Sequence, residues 1–184
     1  TNAPGARARR VVAARAGARD TAAGHTQAVE DTAVASALSF PHLPATTPRH
    51  AARTAAQQLA RRQVPCTMVF ASSWLDQAAV LHGVRSVIQG PLIGGSTAGE
   101  ITLEGPKSHS CVVLAIAQDG LTSSIGAGTE VGRDPRLAGY HAAQEALKQF
   151  KGSKRTAFLL FGDGLLTGYA EVLRGIQEVL GTSF

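Results

Sequence analysis

The residues best suited to chemistry lie in one glycine-rich stretch, PLIGGSTAGEITLE, at positions 91–104. It combines a flexible backbone with hydroxyl groups and a carboxylate, and its candidate site residues are Gly94, Gly95, Ser96, Thr97, Gly99 and Glu100. A stretch of this kind can cradle a phosphate, expose a nucleophile, shape a small-ligand pocket or turn the chain. Each of these roles requires particular residues at particular positions.

A phosphate-binding loop is disfavoured by the residues that follow the second glycine. The pattern G-x-x-x-x-G-K-[ST] places lysine and a hydroxyl there, whereas Gly99 is followed by Glu100 and Ile101. A carboxylate repels phosphate, and the next residues predict a strand, so no helix N-terminus faces an anion. The stretch is therefore not predicted to bind nucleotide phosphates.

A serine nucleophile at Ser96 is disfavoured for a similar reason. The G-x-S-x-G turn needs glycine on both sides of the serine, and Ala98 occupies the second position. Asp134 and His141 follow in the order of a catalytic triad, but their spacing places both on one predicted helix and gives no reason for a proton relay. We predict no enzymatic activity, with a serine hydrolase as the enzyme alternative.

The histidines and cysteines do not form a zinc pattern. No two histidines are four residues apart, and Cys66 and Cys111 each lie in an apolar run, where cysteine usually behaves as a small buried hydrophobe. Two isolated cysteines indicate a reducing, intracellular setting. One axial histidine is enough for haem, so haem stays open as a cofactor.

A second glycine-rich loop consists of Gly162, Asp163 and Gly164, after the strand-like run RTAFLLF and before a helical pattern. Asp163 is expected to cap that helix. Ligand crevices in open α/β sheets form outside the carboxyl ends of strands, so we expect the two loops to form one small polar pocket. Backbone N–H groups suit a carboxylate, and Glu100 or Asp163 suits an ammonium group, which together predict an amino-acid-like ligand.

The periodicity along the chain predicts an α/β fold with a mixed β-sheet and flanking helices in a single domain spanning residues 46–184. A helix is predicted at 48–62, with Thr47 as its cap before Pro48 and Arg61 and Arg62 in its last turn. Further helices are predicted at 75–89, from the cap Asp134 with Pro135 to about Lys151, and from the GDG loop to Gly181. The runs GEITLEG, SCVVLAIA and LTSSIGAGTE predict adjacent antiparallel strands, and CTMVFAS and RTAFLLF predict buried ones. The inward side chains are predicted to be Leu75, Ala79, Leu81 or His82, Val87, Leu137, Tyr140, Ala143, Leu147, Leu166, Tyr169, Leu173, Ile176 and Leu180.

Residues 1–45 are predicted to be a basic tail, disordered or a transit-peptide remnant, because arginines occur there without acids before Asp20. The tail accounts for most of the net charge of +5, so nucleic acid is not an expected partner. No apolar run approaches the roughly 20 residues of a membrane helix, so we expect a soluble protein with no membrane partner. Its location is expected to be cytoplasmic, or a chloroplast or mitochondrion if the tail is a transit remnant.

Five motifs occur in a fixed order: VFAS (69–72), LIGGSTAGEI (92–101), VVLAIA (112–117), SIGAGTE (124–130) and LLFGDG (159–164). This set resembles the N-terminal part of the FIST domain, a sensory domain of bacterial, archaeal and eukaryotic signalling proteins, over residues 48–184. The resemblance implies signal transduction by ligand sensing, with amino acids proposed as ligands and with haem binding and nitric oxide sensing in a subset. For haem, His109 in KSHSC is the candidate.

The same resemblance implies that further family elements would follow Phe184. A pocket between two halves would then be completed by the missing C-terminal half or by a partner subunit. A structural or adaptor subunit whose sheet docks on a partner is the remaining alternative.

Overall fold

The computed structural model describes residues 10–18, 32–38, 46–57, 64–102, 105–116, 121–165 and 167–182. Its strands are β1 Arg10–Ala18, β2 Thr32–Leu38, β3 Cys66–Ser72, β4 Leu92–Thr97, β5 Glu100–Thr102, β6 Gly105–Lys107, β7 Ser110–Ile116, β8 Leu121–Thr129 and β9 Ala157–Phe161. Its helices are α1 Thr46–Gln57, α2 Gln77–Arg85, α3 Pro135–Gln149 and α4 Tyr169–Leu180. None of the described helices is long and apolar enough to cross a membrane.

The chain divides into two compact units. The continuous unit is Asp20–Leu121, and the discontinuous unit combines Thr1–Arg19 with Thr122–Phe184. Each contains strands and helices, and the α/β fold class predicted from the sequence is confirmed.

The continuous unit contains a mixed sheet with the strand order β2-β7-β3-β4. β3 and β4 are parallel, and β7 is antiparallel to both β2 and β3. Because β3 and β4 are parallel, their carboxyl ends, Ser72 and Thr97, are register partners at one edge of the sheet. β5 and β6 form a separate antiparallel pair before β7.

The core of the continuous unit lies between this sheet and helices α1 and α2. Its buried side chains include Val69, Val84 and Val113. Leu75 and Val87 pack against this core as predicted. Leu81 and His82 are exposed, because Val80 and Val84 occupy the inner face of α2.

The discontinuous unit contains a sheet with the order β8-β1-β9 and the helices α3 and α4. As the sequence predicted, Asp134 caps α3, accepting a hydrogen bond from the Leu137 N–H at 2.9 Å, and Pro135 lies in its first turn. Gly181 ends α4 with a positive φ, also as predicted. The strand predicted from RTAFLLF is present as β9, but it is half-buried, with Ala157 exposed, and not buried as predicted.

Glycines let α3 approach its neighbours closely. A methyl group on Gly126 or Gly128 of β8 would overlap a carbonyl oxygen of α3, and one on Gly139 of α3 would overlap the carbonyl oxygen of Val172 in α4. At such separations only small side chains fit between the backbones. The SIGAGTE motif thus serves helix packing.

This close packing changes the predicted inner face of α3. Its buried residues are Ala138, Gly139, Ala142, Ala143 and Ala146. Ala143 is confirmed as an inner residue, but Leu137 and Leu147 are exposed, because the narrow gap excludes leucine. In α4, Ile176 and Leu180 are buried as predicted and Leu173 is exposed, while Leu166 lies outside the described residues.

Two strands lie in the segment 1–45, where the sequence predicted none. β1 pairs with β9, with Val12 opposite Phe161, and β2 pairs with β7, with Val34 opposite Leu114. Ladder hydrogen bonds join main-chain groups, so an alanine- and arginine-rich strand gives little side-chain signal of its presence. The other residues of 1–45 lie outside the described ranges, and the transit-remnant interpretation and the boundary at 45 stay predictions.

Two further sequence predictions are corrected. GEITLEG, SCVVLAIA and LTSSIGAGTE do contain β5, β7 and β8, but these strands belong to three different sheets. Turn signals between strand-like runs show where strands end and carry no information on which strands pair. The first helix is α1 Thr46–Gln57, beginning before the predicted Thr47 cap, and its predicted last turn with Arg61 and Arg62 lies outside the described residues.

Candidate functional site

Most of the glycine-rich stretch 94–100 is strand and not loop, contrary to the sequence prediction. Gly94 to Thr97 belong to β4 and pair in parallel with Val69 to Ser72 of β3. Only Ala98 and Gly99 bend the chain before Glu100 begins β5. Glycines have low strand propensity, but pairing with a buried neighbouring strand overrides it here.

The three glycines of this stretch differ in backbone conformation and in how closely other atoms approach them. Gly94 has a φ of +155°, and a methyl group there would overlap the carbonyl oxygen of Val69. Gly95 is exposed, with no described atom within 4 Å of the position that a methyl group would occupy, and Gly99 allows an ordinary 3.6 Å contact with the carbonyl oxygen of Lys107. Packing therefore requires glycine at 94 and does not require it at 95 or 99.

Glu100 is buried, with 3% of its surface exposed. Its Oε1 accepts a hydrogen bond from the Thr97 hydroxyl. Its Oε2 accepts two from Ser110, from the backbone N–H at 3.1 Å and from the hydroxyl at 2.7 Å. Glu100 thus ties the end of β4 to the start of β7, and in this arrangement its carboxylate faces protein donors.

The charge of Glu100 affects a neighbouring thiol. Burial, and to a smaller extent the negative charge of Glu100, raise the pKa of the Cys111 thiol to about 12. Burial also raises the pKa of Cys66. Both cysteines are free and buried, as the sequence predicted. A thiol that stays protonated is a poor nucleophile and a poor metal ligand, so these cysteines serve packing.

The turn after β3 is fixed to the end of β4. The Ser73 N–H donates to the Thr97 carbonyl oxygen at 2.9 Å, and the Gln77 side chain donates to the Ser72 carbonyl oxygen at 2.7 Å. Asp76 then caps α2 by accepting hydrogen bonds from the N–H groups of Ala78 and Ala79. The carboxyl edge of β3 and β4 is therefore a rigid platform.

An aromatic pair lies at the same edge. The rings of Trp74 and His109 have centroids 5.5 Å apart and are tilted by 48°. Trp74 follows the turn after β3, and His109 precedes Ser110, the residue that binds Glu100. His109 adopts a positive φ of 57°, a left-handed conformation that histidine, like asparagine and aspartate, adopts more often than other non-glycine residues.

The second predicted loop, 162–164, lies in the discontinuous unit. Asp163 does not cap α4: its Oδ1 accepts a hydrogen bond from the Leu165 N–H at 2.9 Å, and the N-cap is Gly168, with no side-chain cap. The Tyr169 hydroxyl donates to the Asp163 carbonyl oxygen, and a methyl group on Gly162 would lie 2.6 Å from that hydroxyl. Gly164 is exposed with open space beside it.

The two candidate loops thus belong to different units, and the pocket predicted between them stays a prediction. Within the continuous unit, Thr97, Glu100 and Ser110 are brought together. Ser96, on the same strand, is exposed. The sequence did not identify Ser110 or Trp74 as site residues. Ser110 is ten residues from Glu100 and Trp74 is further still from His109, and such separations match no helical or strand period.

The catalytic and metal alternatives gain no support from these positions. Asp134 serves as a helix cap, and His141 is exposed with its ring edge-on to Tyr140. In the described part of the chain, no group of at least three His, Cys, Asp or Glu side chains could hold a metal ion.

Comparison with protein families decides the relationship that these motifs suggested. The family model of the FIST N domain matches residues 65–184. The chain belongs to the FIST N domain family. FIST domains are sensory, ligand-binding modules of signalling proteins and are not a known enzyme family. No significant match to a curated protein or to a solved structure was found.

In this FIST N domain, the matched region contains β3 to β9 and α2 to α4, and so includes both glycine-rich segments. The family resemblance inferred from the ordered motifs is thereby confirmed. The motif LIGGSTAGEI contains Gly94, Thr97 and Glu100, which the structure gives packing and hydrogen-bonding roles.

Proposed function

We propose that this FIST N domain binds a small amino-acid-like ligand at the exposed surface of residues 95–99, and that binding transmits a signal. The observation that carries the proposal is that Gly95 is exposed with open space beside it and Gly99 is exposed, although neither packing nor a positive φ requires glycine at these two positions. Glycine in a strand interior costs roughly 0.5–1 kcal/mol relative to alanine. A ligand that approaches the backbone closely would account for glycine at position 95 of β4.

The buried carboxylate gives this surface its rigidity. Glu100 holds Thr97 and Ser110 in place, so the ligand-facing atoms of Gly95 and Ser96 lie on a fixed strand and not on a mobile loop. A preorganised site loses less conformational entropy on binding. We propose that the ligand carboxylate is bound by the Ser96 hydroxyl and by backbone N–H groups near Gly99.

The loop 162–164 is proposed as a ligand-contacting segment of the discontinuous unit. Gly164 is open, as Gly95 is, and Asp163 is held by Leu165 and Tyr169. A carboxylate suits an ammonium group, and Glu100 in the continuous unit and Asp163 in this loop are the two candidates for that role. We further propose that the C-terminal half of a longer chain or a partner subunit completes the pocket, and that the protein works in the cytoplasm or an organelle.

A thermal-shift screen of the full chain against the common amino acids and haemin, with absorbance spectra of each mixture, tests the proposal. A ligand at about 100 times its dissociation constant stabilises by about 2.7 kcal/mol, which raises the melting temperature by several degrees at this size. A shift with an amino acid supports the proposal. A Soret band with haemin would favour the haem-based nitric oxide sensor, and no shift at all would favour the adaptor subunit.

A further inference from the structure

The exposed ring of Trp74 is unusual for its surroundings. The Trp74 residue is 78% exposed. The nearby backbone is ordered, because the carbonyl oxygens of Ser72 and Thr97 accept hydrogen bonds from the turn after β3. Tryptophan carries a large apolar surface that folding normally buries. Here its ring contacts the ring of His109, whose backbone has a positive φ of 57°. The fold thus leaves most of the Trp74 side chain in solvent, next to the ring of His109.

A buried negative charge lies at the same edge. The donors to the Glu100 carboxylate are the hydroxyls of Thr97 and Ser110 and one backbone N–H, all uncharged. Among the described residues no ion pair is formed with Glu100. Such a charge is costly to bury and attracts a cation. A cation at this edge would offset part of that cost.

The ring pair and the carboxylate are linked through the backbone. Trp74 follows Ser73, whose N–H donates to Thr97, and Thr97 donates to Glu100. On the other side, His109 immediately precedes Ser110, which also donates to Glu100. The aromatic face and the buried charge are therefore positioned by one hydrogen-bonded network.

We propose that the Trp74–His109 ring pair, together with the buried charge of Glu100, recognises the ammonium group of the ligand. The ligand class is thus primary amines, including free amino acids, whose ammonium group lies on the face of the indole. This rests on the proposed function, and it assigns ammonium recognition to the continuous unit. Cations bind the face of tryptophan more strongly than those of tyrosine or phenylalanine.

The chain provides its own probe, because it contains a single tryptophan. Each common amino acid and its N-acetyl derivative, which lacks the ammonium group, are titrated into the full chain. Tryptophan emission and calorimetry are recorded together. We expect a free amino acid to change the emission of Trp74 and its acetylated form to bind at least about tenfold more weakly. The decarboxylated amine should still change the emission.

Variants at position 74 distinguish an effect of the Trp74 ring on ligand affinity from an effect on folding. Trp74→Leu should weaken binding by roughly three- to thirty-fold, while Trp74→Phe, measured by calorimetry, should retain most of the affinity. Leu81→Ala, which removes another exposed apolar side chain of the same unit, is the matched control and should leave affinity unchanged. Melting curves verify that each variant is folded.

The outcomes distinguish this inference from the proposed function. Equal binding of free and acetylated amino acids, or unchanged affinity in folded Trp74→Leu, would overturn ammonium recognition by Trp74 and leave the proposed function standing. If calorimetry detects no binding of any amino acid, acetylated form or amine, the proposed function fails and this inference fails with it.

Discussion

Ser110 donates two hydrogen bonds to one oxygen of Glu100, from its backbone N–H at 3.1 Å and from its hydroxyl at 2.7 Å. Both residues are buried, so these bonds replace water around a charged group. Hydrogen bonds to charged groups contribute more to stability than neutral ones. The pair therefore connects the LIGGSTAGEI motif to the central strand β7.

Removing the Ser110 hydroxyl should destabilise the protein. Ser110→Ala leaves one oxygen of Glu100 with a single donor, and we expect a loss of about 1.5–3 kcal/mol. The measurement is urea unfolding, read as a lower midpoint with an unchanged m-value. Ser96→Ala, at an exposed neighbouring position, should change stability by less than about 0.5 kcal/mol. Equal midpoints for native and Ser110→Ala would contradict the role assigned to Glu100.

Substitutions at adjacent glycines should have opposite signs. Gly94→Ala should destabilise by about 2 kcal/mol or more, because the added methyl group meets the backbone of Val69, which cannot move aside. Gly95→Ala should be neutral or stabilising by roughly 0.5–1 kcal/mol, because its position is open. Thermal unfolding of both variants checks this. Similar losses at both positions would show that Gly95 also serves packing.

Gly139→Ala tests the packing of α3 on α4. In an isolated helix this change would gain about 1 kcal/mol. Here the methyl group would overlap the carbonyl oxygen of Val172, and we expect a net loss of at least about 1 kcal/mol. Gly164→Ala, with open space, is the control. A more stable Gly139→Ala variant would mean that the helices can separate at no cost.

The buried Cys111 should make stability depend on alkaline pH. Its pKa is raised to about 12 in the folded chain from the ordinary value of 9.0, so the unfolded chain loses the proton first. The raised pKa of Cys111 adds to the free energy of unfolding, and this stabilisation is fully present below about pH 9 and is lost as pH rises toward 12. The slope from this thiol approaches about 1.4 kcal/mol per pH unit within that window.

Cys111→Ala isolates that slope, because Cys66 remains in both proteins. Urea midpoints are compared between native and variant chains at about pH 8 and about pH 10.5. We expect the native chain to lose more stability over this interval than the variant does. Parallel declines would show that Cys111 ionises normally and is more accessible than its burial indicates.

The sequence predicted the elements whose signals are local. CTMVFAS is β3, Cys66–Ser72, because an uncharged run with β-branched residues is a strong strand signal. Asp134 followed by Pro135 located the start of α3, because capping depends only on neighbouring residues. The same reasoning wrongly predicted that Asp163 caps α4. The Tyr169 hydroxyl donates a hydrogen bond to the Asp163 carbonyl oxygen, and the helix begins only after Gly168.

Strand pairing and the site network could not be predicted in this way. β7 pairs with β3, about forty residues earlier, and Glu100 binds Ser110 across a hairpin, so neither contact follows a helical or strand period. The sequence alone could not show that packing requires glycine at position 94 but not at position 95. Gly94 has a positive φ and lies against the backbone of Val69 in β3, whereas Gly95 is exposed with open space beside it.

The most direct test of ligand binding at residues 95–99 is a calorimetric titration of amino acids into the native full chain and into Gly95→Val. Valine favours strands, so the variant should melt at or above the native temperature. The proposed function predicts saturable binding of an amino acid to the native chain and a dissociation constant at least about tenfold higher in Gly95→Val. No binding to the native chain, or equal affinity in the folded variant, would contradict it.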